Sequence, residues 1–145
     1  MKNETKITHI KKLNPHCSKI NLCFYQESIP AGIPSQVEGL SEEKLDLNEL
    51  LIKNPSATFF LRVSGHSMNK AGIHNNDILI VDRSLVPADD RVIIVSVNDE
   101  LRVKRLKYEN EKILLVSESN PYSPIDITGE EFRIWGVVVN VLHEL

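Results

Sequence analysis

A chain of 145 residues, 41% apolar and 26% charged, has the make-up of one soluble globular domain of ordinary size. No apolar run approaches the ~18 residues of a membrane span, and the polar, basic start lacks the apolar stretch of a secretory signal. The net charge of −3 hides a division, because residues 1–31 carry +3 and residues 32–145 carry −6. A basic arm on an acidic body is one way to meet nucleic acid. With one aromatic pair, Phe24 and Tyr25, and no arginine, this arm reads instead as solvated or folded back onto its own body. Cys17 and Cys23 have neither CxxC nor zinc-knuckle spacing, so they read as reduced thiols of a cytosolic protein.

Residues 1–28 show little periodicity, although Ile20, Leu22 and Phe24 alternate as in a short strand. The segment Ser28 to Gly39 follows. Its Pro30 and Pro34 forbid a helix and favour extended backbone, with the small pair Ala31-Gly32 between them. Composition alone makes this a linker, and it equally has the form a protease cleft accepts. Residues 41–54 are expected to form a short helix, with Asp46 as N-cap, Glu49 three residues on, and Asn54-Pro55 as its end. From Thr58 the pattern turns to strands. TFFLRV is followed by apolar runs at Ile78–Val81, Val92–Val97, Leu101–Leu106, Ile113–Val116 and Ile134–Leu142, separated by turn signals such as HNND and NDE. The expected fold class is mainly β: a compact β-domain with one short helix and an extended N-terminal arm.

Three chemistries compete for the turn Val63 to Met68, VSGHSM. In a Ser-His-Asp triad His66 is the nearest base, but it adjoins Ser67, and neighbours on a strand point opposite ways. A metal site lacks histidines at ligand spacing, so no metal or cofactor is expected. A Ser-Lys dyad needs a lysine in apolar surroundings, and Lys104 in ELRVKRL fits best. Burial would lower its pKa from about 10.4 and free the amine to take the Ser67 proton. The backbone N–H groups of Ser67 and Met68 are the nearest donors for an oxyanion. On residue chemistry alone, a strand-ending serine and a structural lysine remain an alternative.

SGHSM, followed by NDILIVD, LRVKRL and SNPYSPI, closely resembles the LexA/UmuD family of self-cleaving serine–lysine peptidases, with the likeness running from about Ile29 to Val141. That resemblance implies Ser67 as nucleophile, Lys104 as general base and Ala31-Gly32 as the scissile pair. It also implies two parts: a flexible arm, residues 1–31, removed by self-cleavage, and a peptidase-like domain, residues 32–145. A RecA–single-stranded DNA filament would be the activator. The processed product would dimerise and join a UmuC-type Y-family polymerase for error-prone translesion synthesis in the SOS response. The location implied is the cytoplasm, without membrane attachment and without direct DNA contact. The alternative is a peptidase-type phage or SOS repressor fragment, although no DNA-binding pattern precedes the peptidase region. Trp135 to Leu142 is a candidate dimer strand or an internal core strand. Three positions depart from the family's pattern: His66 replaces the usual Asp, Asn76 replaces a turn glycine, and Asp89 alters a Gly-Asp turn.

Overall fold

The computed structural model describes residues 4–14, 21–25, 42–119 and 123–145. Ala31 and Gly32, with the proline-bearing segment around them, lie outside the described residues. The chain divides into two units, one of Met1–Leu13 with Asn54–Leu145 and the other of Asn14–Lys53. The first unit holds strands β1 (Lys6–Lys12), β4 (Thr58–Ser64), β5 (Ile78–Asp82), β6 (Val92–Val97), β7 (Glu100–Glu109), β8 (Lys112–Val116), β9 (Ile125–Asp126) and β10 (Phe132–Leu142). The second holds β2 (Asn21–Tyr25), β3 (Glu42–Asp46) and the helix α1 (Leu47–Leu51).

The eight strands of the first unit run in the order β1-β4-β5-β10-β6-β7-β8-β9, every pair antiparallel. Lys6 of β1 also pairs with Arg102 of β7, which joins β1, β4, β5, β10, β6 and β7 into a ring. Closing a sheet removes open edges, and here the closing strand is the chain's own N-terminal segment. One apolar cluster gathers Leu61, Val63, Met68, Leu79, Ile94 and Val103. A second, with Ile93, Val95, Leu106, Leu115 and Ile127, lies under β6, β7 and β8. The hairpin turns suit their residues. Asn98-Asp99 and Asn110-Glu111 all take positive φ, the backbone that tight two-residue hairpins demand. Asn76 does the same at φ 71°, as its tolerance of left-handed backbone allows.

The expected strands from Thr58 onward all form, and the mainly-β class holds. Two expectations change. The helix expected over residues 41–54 shrinks to Leu47–Leu51, because Glu42–Asp46 pairs with Asn21–Tyr25 as a strand. Asp46 still caps it, accepting from the Asn48 amide at 2.9 Å. A distant strand partner overrides local helix signals, and periodicity cannot see that partner. The candidate dimer strand lies in β10, which pairs with β6 over Phe132–Val137 and with β5 over Val137–Leu142, so its last residues have a ladder partner on one side only. The weakly periodic start of the chain contains β1, which alternation missed because nearly all its side chains are exposed.

Candidate active site

Strand β4 carries the chain to the turn Val63 to Met68. Gly65 leaves the strand at φ 102°, and its amide donates to Asn75 Oδ1 at 2.9 Å. His66 is exposed, while Ser67 and Met68 are fully buried. A short 3-10 turn, Asn69–Ala71, and Gly72 at φ 79° complete the bend. Met68 anchors it twice over. Its side chain is in the core, and its carbonyl accepts from the Ala71 and Ile73 amides at 3.0 and 3.2 Å. Ser67 is thus held by a buried neighbour and a doubly bonded carbonyl. Its position is fixed by the packing of its own turn.

Lys104 stands on β7 opposite Ile93 of β6 and is 2% exposed. A lysine so deeply buried has to have polar partners. Its Nζ donates to Ser117 Oγ at 2.6 Å and to Glu4 Oε1 at 3.0 Å. Ser117, just past the end of β8, is itself 8% exposed and was not singled out by sequence reasoning. No spacing rule links it to Lys104; the β7–β8 hairpin brings the two together.

Glu4 and Thr5, at the head of β1, complete the site. The Thr5 amide donates to Ser67 Oγ at 2.8 Å, so Ser67 and Lys104 meet two consecutive residues of the N-terminal segment. Among the described residues no hydrogen bond joins Ser67 directly to Lys104. Burial works against ionising Glu4, but the Lys104 hydrogen bond and charge outweigh it and hold that carboxyl below its usual value. Gly65 lies so close that a Cβ there would collide with the Glu4 carbonyl oxygen. Thr5 Oγ1 is buried without a hydrogen-bond partner, and it is the only such side-chain atom among the described residues.

The remaining sequence candidates separate cleanly. His66 is exposed, and among the described residues no side-chain hydrogen bond joins it to Ser67. The amides of Ser67 and Met68 donate to no described backbone carbonyl. Spacing along the chain hid one grouping: the fold brings His74, Asp77 and His143 together, with donor atoms within 4.8 Å of one another. His143 Nδ1 is 2.6 Å from Asp77 Oδ1, and the buried Asp77 also accepts from the His74 amide at 2.7 Å. That set ties the chain's end to the turn before β5. No helix among the described residues is long and apolar enough to cross a membrane.

Comparison with known proteins agrees with the geometry. The pattern of the Peptidase S24-like family matches residues 23–139. Protein MucA of Salmonella typhimurium is 40% identical over 122 residues, which is 83% of this chain and 84% of that one. Protein ImpA of Salmonella typhimurium is 40% identical over 121 residues, covering 83% of this chain and 82% of its own. The LexA repressor of Acidithiobacillus ferrooxidans is 36% identical over 136 residues, 86% of this chain but only 66% of that one. A buried serine turn, a buried lysine and these relatives together place the chain in the Peptidase S24-like family.

Proposed function

We propose that this protein is a self-cleaving serine peptidase of the SOS response whose substrate is its own Ala31-Gly32 bond. Ser67 Oγ attacks the Ala31 carbonyl carbon while its proton passes to Lys104 Nζ. The oxyanion is met by backbone N–H groups of Ser67 and Met68, which are committed to no described backbone carbonyl. The C–N bond then breaks, the proton leaves with the Gly32 amine, and water hydrolyses the acyl-serine at Ala31. No metal or cofactor enters this reaction. Residues 1–31 are released, and residues 32–145 become the working form.

One observation carries this reading: a serine and a lysine, both all but sealed from solvent, meet two consecutive residues of one segment of the same chain, Ser67 at the Thr5 amide and Lys104 at the Glu4 carboxylate. A structural lysine has no need of such a position. The resemblance to MucA and ImpA, each matched over more than four-fifths of its length, supports a UmuD-like protein over a repressor fragment. On that reading a RecA–single-stranded DNA filament favours the cleavage-competent conformation without supplying a catalytic group. The processed form then dimerises and serves a UmuC-type polymerase in translesion synthesis.

The test is activation at neutral pH. Purified protein mixed with RecA, single-stranded DNA and nucleotide is expected to be cut after Ala31, and omission of any one component should leave it intact. A rate that does not respond to the filament would remove the SOS assignment, whatever the chemistry of the dyad.

A further inference from the structure

We infer that the groove beside β4, with Ser67 and Lys104 at its head, has a resident occupant: the chain's own residues 4–12, which compete with the scissile segment and keep the base engaged through Glu4. This rests on Ser67 and Lys104 being the dyad proposed above.

The first argument is occupancy. Ser67 has no exposed surface, and its Oγ already accepts from the Thr5 amide. A carbonyl attacked by Ser67 must lie within bonding reach of that oxygen, in the space that Glu4 and Thr5 fill. The Ala31-Gly32 bond cannot enter while they remain. The second argument is engagement. Lys104 Nζ is turned to the Glu4 carboxylate and to Ser117 Oγ, and among the described residues no hydrogen bond joins it to Ser67. Glu4 is therefore a positioning residue that acts through Lys104 and takes no part in bond cleavage.

The third argument is shape. Strand β1 adds to β4 from Lys6↔Ser64 to Lys12↔Phe59, the way an extended peptide joins a sheet edge. At its head the backbone passes so close to Gly65 that no side chain is tolerated there. The groove thus fits extended backbone at the place where catalysis needs it. The fourth argument is that the occupant can leave. Its side chains are almost all exposed, and its pairing with β4 slips between Ile7 and His9. The Thr5 hydroxyl is buried without a partner, which weakens the docked state. A strand held mainly by main-chain bonds and one charged pair belongs to the low-stability end of a fold.

Two measurements on the full chain decide the matter. In Glu4→Ala, amide hydrogen exchange across residues 5–12 should speed about tenfold or more, while β5 and β10 keep wild-type protection. Self-cleavage at Ala31-Gly32 should rise by a comparable factor. Equal protection of residues 5–12 in both proteins would overturn the inference. So would a loosened strand with an unchanged cleavage rate in a preparation whose wild type cleaves. If no protein is cut under any condition, the dyad reading fails, and the exchange experiment still reports whether Glu4 holds the strand.

Discussion

Glu4 and Lys104 stand one hundred positions apart and meet in a 3.0 Å ion pair, at a lysine 2% exposed and a glutamate 23% exposed. Little water screens a pair so placed, so breaking it by removing one partner costs more than breaking a surface salt bridge. Removing Glu4 also leaves a buried amine short of a partner. On the proposed mechanism that contact joins the docking of the strand to the state of the base, since departure of residues 4 and 5 would release Ser67 and Lys104 together.

The orphaned Thr5 hydroxyl gives the first prediction. Thr5→Val keeps the shape and removes the unsatisfied group, so the docked strand should gain about 1 kcal/mol. Self-cleavage should then slow several-fold, and exchange across residues 5–12 should slow with it. Faster cleavage in Thr5→Val would contradict the view that this strand blocks the cleft.

Ser117 gives the second. Its hydroxyl accepts from Lys104 Nζ at 2.6 Å in a buried setting. Ser117→Ala should lower the self-cleavage rate about tenfold at neutral pH and change the shape of its pH profile. Ser117→Thr, which restores a hydroxyl, should recover most of the rate. A Ser117→Ala protein with the wild-type rate and profile would reduce Ser117 to a packing role.

Much of this was legible in the chain, and the part that was not has a physical cause. Strands β4 to β8 and β10 announce themselves by β-branched runs between turn residues, and Asn98-Asp99 marks its hairpin by chemistry alone. Ser67 and Lys104 were singled out by residue type, and resemblance supplied their roles. Glu4, Thr5 and Ser117 carried no signal, because each matters only through a partner brought close by the fold. The same holds for β3, which looked helical until β2 paired with it, and for His74 with His143.

Acid stability supplies the third prediction. Asp82, at the end of β5, is desolvated by burial, yet its carboxyl is held below the usual 3.8 by hydrogen bonds from Asn54 and Ser84. Asn54 Nδ2 lies at 2.6 Å, the Ser84 amide at 2.8 Å and Ser84 Oγ at 2.6 Å. Its folded pKa is thus below its unfolded one. The stabilisation is complete above about pH 4 and fades as pH falls through the folded value. Asp82→Ala should cost about 2 kcal/mol in urea unfolding at pH 7, and the gap should narrow in strong acid. An equal gap at both pH values would place its role outside the charge.

The central claim is the dyad itself. The direct measurement is intact-mass spectrometry after incubation at pH ~10 without any activator, where a lysine amine loses its proton unaided. Wild type should yield two fragments, residues 1–31 and 32–145, while Ser67→Ala and Lys104→Ala stay whole. Equal cutting in all three proteins, or a wild-type cut at another bond, would contradict the account.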